Sequence, residues 1–138
     1  MSSDYRYEIK FVLDNAGLAD AMQWLYTNTT ANKSYNNRMV NSIYFDDVNF
    51  SSVRDNLAGI AQRNKLRLRW YGNQKNSLPI FEVKTKNGRL GKKIAYSINS
   101  INNNIMELNL DKITSCCIKD LAIHDIILDD HIVPTLQV

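Results

Sequence analysis

Three short segments of the chain alternate charged side chains with large apolar ones. They are residues 5–11 (Tyr-Arg-Tyr-Glu-Ile-Lys-Phe), 65–71 (Lys-Leu-Arg-Leu-Arg-Trp-Tyr) and 81–86 (Phe-Glu-Val-Lys-Thr-Lys). Because successive side chains of a β-strand point to opposite faces of a sheet, each segment would place its apolar groups on one face and mostly cations on the other. Cations crowded on one face repel one another and lose hydration, which is costly unless an anion lies among them. The pattern therefore predicts a β-sheet with a face that binds a polyanion.

The distribution of charge along the chain supports this interpretation. The net charge is only +3, but the segment from Arg63 to Lys93 contains ten basic residues and a single acid, Glu82. From Ile94 to the end there are two basic residues and six acids. The basic segment is therefore the candidate anion site, and the acidic segment is expected to form a solvated surface.

Length and composition limit the classes of protein to consider. The 138 residues, of which 44% are hydrophobic, suit one domain over residues 1–138 with its own core. We expect no transmembrane helix, because no apolar run approaches 18 residues, and no signal peptide at the N-terminus. The only cysteines, Cys116 and Cys117, are adjacent and do not resemble a secreted disulfide framework. A cytoplasmic location is the expectation.

The spacing of apolar and turn-forming residues predicts an α+β fold built on an antiparallel sheet. Asp14 or Asn15 is a suitable N-cap for the first helix, and Asn87-Gly88 is a strong hairpin signal. In residues 92–98 the apolar alternation favours Lys93 over Lys92 for the cationic face. Five strands in short succession, followed by the start of another at 134–138, suggest a curved sheet or barrel with helices on its apolar outer face. The predicted strands are 5–11, 40–45, 63–71, 81–86, 92–98 and 134–138, and the predicted helices are about 15–27, a short one within 46–56, 101–108 and 115–127.

Several of these motifs together resemble one family. Residues 7–10 (Tyr-Glu-Ile-Lys), 42–46 (Ser-Ile-Tyr-Phe-Asp), 67–72 (Arg-Leu-Arg-Trp-Tyr-Gly) and 82–85 (Glu-Val-Lys-Thr), with Gly59 between them, are similar in order and spacing to the VTC domain. This is the polyphosphate polymerase domain of the triphosphate tunnel superfamily, which is related to the CYTH proteins. The resemblance extends over roughly residues 5–98, and the run at 67–72 is its most specific part.

The resemblance implies an eight-stranded antiparallel tunnel that binds triphosphate or polyphosphate. It implies transfer of the γ-phosphoryl group of ATP to a growing polyphosphate, with Mn²⁺ or Mg²⁺ and no covalent protein nucleophile. Glu8 and Glu82 would orient the cations or help to hold the metal. The basic residues expected to bind phosphate are Lys10, Arg67, Arg69, Lys84, Lys93 and Lys65.

Two departures from the family pattern bear on function. The wider superfamily has a Glu-x-Glu-x-Lys motif near the N-terminus, and Arg6 replaces its first glutamate here, which fits the VTC branch better than the hydrolases. The pattern also covers only about the first half of the tunnel, and residues 133–136 resemble the strand that opens the second half. That half would supply further arginines, the main metal-binding glutamate and a late lysine. The sequence leaves open whether the chain is a fragment, a truncated product or one half of a homodimer that completes one tunnel. It also leaves open whether the protein is active.

Two other functions remain as alternatives. One is a CYTH-type triphosphate hydrolase, which Arg6 disfavours. The other is a non-catalytic module that binds polyphosphate or another polyanion. Single-stranded RNA would require aromatic side chains among the cations for base stacking, and Tyr71 is the only aromatic on the cationic face of 65–71. No specific nucleic-acid partner is therefore expected.

Overall fold

A computed structural model describes residues 6–7, 11–33, 35–72, 78–101 and 104–138. The chain divides into two compact units, one made of Met1–Tyr7 and Met39–Val138 and the other of Glu8–Arg38. The organisation of residues 1–138 as a single domain stays a prediction.

The elements alternate between strands and short helices. In chain order they are β1 (Arg6–Tyr7), α1 (Asn15–Asn28), β2 (Val40–Asp47), α2 (Ser51–Leu57), β3 (Gln62–Tyr71), β4 (Ile80–Asn87), β5 (Leu90–Ser97), a 3-10 helix (Ile105–Glu107), α3 (Leu110–Ala122) and β6 (Ile132–Gln137).

In the unit Glu8–Arg38, the described structure consists chiefly of α1. The helix begins after Asp14, whose carboxylate accepts a hydrogen bond from the backbone N–H of Gly17 at 2.7 Å and so satisfies one of the free amides of the first turn. It ends at Thr29, whose hydroxyl and backbone N–H both donate to the carbonyl of Leu25. The predicted helix over 15–27 and its N-cap are confirmed.

The larger unit is built on one six-stranded antiparallel sheet. The strand order is β1-β5-β4-β3-β2-β6, so β1 and β6 form the two edges and, within the described residues, the sheet does not close. The predicted class, α+β with an antiparallel sheet of tunnel type present in part, is confirmed.

The core lies on the apolar face of this sheet. The alternation within β2, β3 and β4 directs Ile43, Phe45, Leu68, Trp70 and Phe81 to that face, where each is at most 2% exposed. They form one cluster with the apolar side of α3 and the loop before it. Further members of the cluster are Ile98, Ile101, Ile105, Ile113, Cys116, Cys117 and Leu121. A helix therefore covers the apolar face, as predicted, and leaves the opposite face of β3 and β4 to the charged residues.

The two cysteines of α3 belong to this core. Both are free and buried. Burial raises the pKa of the Cys117 thiol to about 12, so that thiol is protonated and unreactive at neutral pH. Their structural role agrees with the absence of a disulfide signature in the sequence.

Some predicted boundaries are wrong. Only Arg6–Tyr7 of the predicted strand 5–11 is seen as a strand, Phe11 lies outside it, and residues 5 and 8–10 lie outside the described part of the chain. The predicted hairpin is present, but Asn87 pairs with Leu90, so its two-residue turn is Gly88-Arg89 rather than Asn87-Gly88. Helix α3 begins five residues before the predicted start, because the Asn109 side chain accepts from the N–H of Lys112 and caps it.

Candidate anion-binding face

The charged side of strands β2 to β5 is called the cationic face below, and its geometry follows from strand register. Lys65 of β3 pairs directly with Lys84 of β4, and Lys84 pairs directly with Lys93 of β5. Paired residues of an antiparallel sheet point to the same face. Three lysines therefore lie in one row across three neighbouring strands, which are spaced about 4.8 Å apart.

A second row of side chains on the same face, two residues further along the strands, is centred on the buried carboxylate of Glu82. Arg67 pairs directly with Glu82, whose side chain is only 5% exposed. Arg67 donates to Oε2 of Glu82 from Nε at 2.9 Å and from Nη2, and Lys93 donates to Oε1 from Nζ at 3.0 Å. Both carboxylate oxygens of Glu82 thus accept charge-assisted hydrogen bonds from the phosphate-binding candidates themselves.

These contacts shift the pKa values of both partners. Burial by itself would raise the pKa of Glu82, but the hydrogen bonds from Arg67 and Lys93 outweigh it and hold that pKa below its usual value. For Arg67, partial burial works against the charged form, but bonding to Glu82 and Tyr44 dominates and raises its pKa. At neutral pH the carboxyl group of Glu82 is therefore ionised and the guanidinium group of Arg67 is protonated.

Arg69 lies beside this cluster without joining it fully. Its Nε is 4.0 Å from Oε2 of Glu82, which is too far for a hydrogen bond. That Nε is buried, and it has no hydrogen-bond partner within the described residues. A buried donor without a partner is costly, so the position of Arg69 beside Glu82 is not explained by hydrogen bonding of its Nε within these residues.

Tyr44 on β2 completes the surroundings of Arg67. The two residues pair directly across β2 and β3. Nη1 of Arg67 lies 3.4 Å from the Tyr44 hydroxyl oxygen, and its Cζ lies 5.8 Å from the centre of the Tyr44 ring. The sequence interpretation missed Tyr44 as a site residue, although its position between the apolar Ile43 and Phe45 was enough to direct it to the cationic face.

Lys65 also borders a pocket at one end of the cationic face. The pocket has a volume of about 340 Å³ and lies between α2 and the ends of β2, β3 and β6. Lys65, Tyr44 and Asp46 contribute polar groups, and Val53 and Leu136 are among its apolar lining.

The structure brings six of the eight predicted site residues onto one face. Arg67, Lys93 and Glu82 are in direct contact, and Arg69 lies next to them. Lys65 and Lys84 lie in the neighbouring row, where strand pairing places them directly opposite each other. Lys93, rather than Lys92, is on this face, as the alternation indicated. The other two, Lys10 and Glu8, lie outside the described residues, so their placement stays a prediction.

The acidic groups on the described part of the face do not fit a metal ion. No cluster of three or more His, Cys, Asp or Glu side chains suited to a metal occurs within the described ranges. Both oxygens of Glu82 accept bonds from cations. Asp46 accepts from the N–H groups of Ser52 and Val53 and thereby caps α2. Dependence on Mn²⁺ or Mg²⁺ therefore stays a prediction, and no step is assigned to a metal here.

The fold and the face define a class of protein: an α+β domain whose open antiparallel sheet carries cations on one face and its core on the other. A family model of the VTC domain matches residues 5–135. The chain therefore belongs to the VTC domain family. No curated protein and no solved structure matches the chain. None of the helices in the described ranges is long and apolar enough to span a membrane.

Proposed function

We propose that the cationic face binds linear condensed phosphates, triphosphate and polyphosphate, and that the domain serves ATP-dependent polyphosphate synthesis. The observation that carries the proposal is the row of Lys65, Lys84 and Lys93, each directly opposite another lysine. Like charges directly opposite each other destabilise a sheet. A bound anion with several charges offsets the repulsion within this row, whereas a neutral ligand does not.

The spacing of the cations supports a chain-like anion. Residues two apart along one strand, such as Arg67 and Arg69, have Cα atoms about 6.6 Å apart, and neighbouring strands are about 4.8 Å apart. Cations of β3, β4 and β5 therefore form a grid over which a chain of phosphates can contact several of them at once. Arginine offers a planar pair of donors to phosphate and lysine a compact charge. Phosphoryl transfer depends mainly on such positioning and charge neutralisation.

A second candidate is a domain that binds polyphosphate without catalysis. One observation favours it: both oxygens of Glu82 accept bonds from Arg67 and Lys93. Glu82 is therefore not available as a ligand for the metal that the polymerase reaction would use. An ATP-dependent increase in polyphosphate length with Mn²⁺ or Mg²⁺ would distinguish the polymerase from this module.

Calorimetry at low salt tests the binding proposal. We expect tripolyphosphate to bind more tightly than orthophosphate or sulfate, and the affinity to fall as salt screens the charges. The double variant K65A/K84A should bind tripolyphosphate at least 10-fold more weakly than the wild type. The double variant K112A/K119A on α3 has the same net charge as K65A/K84A, but it should bind tripolyphosphate like the wild type. Equal weakening by both pairs would show that only overall charge matters and would refute a site on this face.

A further inference from the structure

We infer that Tyr44 is a positioning residue of the anion site, which acts by holding the guanidinium group of Arg67. The inference rests on the proposed function, because it concerns how the same face presents a cation to phosphate. It assigns a role to a residue on β2, whereas the candidate residues described above lie on the N-terminal segment and on β3, β4 and β5.

Arg67 is held from two sides. On the β4 side, Glu82 accepts bonds from Nε and Nη2 of Arg67. On the β2 side, the Tyr44 hydroxyl accepts from Nη1 at 3.4 Å, and the Tyr44 ring lies within cation–π range of the guanidinium carbon at 5.8 Å. With contacts on both neighbouring strands, the plane of the guanidinium group is fixed relative to the sheet.

This arrangement determines which donors of Arg67 face a ligand. A guanidinium group has five N–H groups. The bonds to Glu82 and Tyr44 use three of them, so a phosphate must be met by the other two. Both bonds to Glu82 run to the same oxygen, Oε2. Without the contact to Tyr44, the planar guanidinium group can pivot about that oxygen, and a ligand would have to order it on binding at a cost in entropy.

Tyr44 is itself fixed well enough for this role. Tyr44 is partly buried, and its backbone is paired with Arg67 on one side and with Leu136 of β6 on the other. The Thr135 hydroxyl also donates to the Tyr44 carbonyl at 3.2 Å. A tyrosine on a central strand is a more rigid support than a residue on a loop.

Tyr44→Phe removes the hydroxyl and keeps the ring, so it tests the inference directly. Tripolyphosphate binding is measured by calorimetry for the wild type, Y44F, R67K, the double variant Y44F/R67K and Y96F. Tyr96 is a matched control because it lies on the opposite face of the sheet, with its ring 5.2 Å from that of His124. We expect Y44F to weaken binding roughly 3- to 10-fold, as the loss of one hydrogen bond implies, and Y96F to bind like the wild type.

The double variant separates positioning from a general effect on folding. Lysine has no planar fork, so in the R67K background the Tyr44→Phe substitution should cause no further loss of affinity. In phosphate-free buffer the NMR resonance of the Arg67 Nε–H group, assigned by its disappearance in R67K, should shift in Y44F and stay in place in Y96F.

Binding by Y44F within twofold of the wild type would overturn the inference and leave the proposed function intact. An equal loss from Y44F in the wild-type and R67K backgrounds would overturn it as well, because Tyr44 would then act independently of Arg67. If the wild type itself fails to bind tripolyphosphate, the proposed function is wrong and this inference falls with it.

Discussion

Arg67 of β3 and Glu82 of β4 are directly opposite each other, and Arg67 donates to the same carboxylate oxygen of Glu82 from both Nε and Nη2. Glu82 also accepts from Lys93 of β5. One buried carboxylate thus links three strands and neutralises part of the charge on the cationic face. The same contacts therefore affect both the stability of the fold and the presentation of cations to a ligand.

Removal of the negative charge of Glu82 should destabilise the protein. Because Glu82 is 5% exposed in its side chain and accepts bonds from two cations, we expect E82Q to lower the free energy of unfolding by about 1.5–3 kcal/mol. Urea denaturation measures the change. Glu107→Gln, at an exposed acid in the 3-10 helix, is the control and should change stability by less than about 0.5 kcal/mol. Equal stability of E82Q and the wild type would mean that the ion pairs make no net contribution.

Stability should fall at acid pH partly through Glu82. Its pKa is lower in the folded protein than the unfolded value of about 4.3. The stabilisation is therefore complete above about pH 4.3 and is lost as pH falls through the folded pKa. Hydrogen bonds from Ser51 lower the pKa of Asp47. Burial by itself would raise the pKa of Asp120, but the hydrogen bonds from Ser100 outweigh it and leave that pKa lowered.

Urea denaturation at several pH values between 7 and 3 tests this prediction. Because Asp47 and Asp120 contribute as well, E82Q should show a shallower acid dependence than the wild type but not a flat one. Parallel curves for the two proteins would contradict the assignment of a lowered pKa to Glu82.

Neighbouring lysines on β5 provide a matched test of the face. Lys93 shares the cationic face with Lys84 and contacts Glu82, whereas Lys92 is paired with Thr85 and points to the other side. We expect K93A to weaken tripolyphosphate binding roughly 5-fold or more for two reasons. A cation is lost from the face, and the negative charge of Glu82, which then lacks the bond from Lys93, repels the ligand more strongly. K92A removes the same charge from the same strand and should have little effect. The reverse order of affinities would mean that the ligand binds the opposite face.

The β4–β5 turn should depend on a single glycine. Gly88 has a φ of +59°, a left-handed conformation that costs other residues about 1–2 kcal/mol, and a Cβ there would meet no atom within 4 Å. We therefore expect G88A to lower the free energy of unfolding by about 1–2 kcal/mol through backbone strain alone. Gly91→Ala, three residues later, is the control because Gly91 lacks a positive φ and its Cβ would make only an ordinary contact with Lys84. Thermal or urea denaturation of G88A and G91A measures whether the first substitution lowers stability more than the second.

The sequence was sufficient for the parts of the fold that depend on local periodicity. The alternation of Leu66, Leu68 and Trp70 with Lys65, Arg67 and Arg69 assigns the two faces of β3, because side chains of a strand alternate with a period of two. The same argument correctly selects Lys93 over Lys92. Family membership also rests on the sequence.

Register and long-range contacts required the tertiary structure. Which residue of β4 lies opposite Arg67 depends on the pairing of strands separated by a loop, and a two-residue turn at 88–89 aligns Lys84 with Lys93 on the next strand. No periodicity within one strand reveals that Glu82 is shared by Arg67 and Lys93, or that Tyr44 of a fourth strand reaches Arg67. The sequence by itself determined which charged residues of β3, β4 and β5 lie on the cationic face. Only the tertiary structure decided which of these charges neutralise one another, because hydrogen bonds between side chains depend on distances across strands.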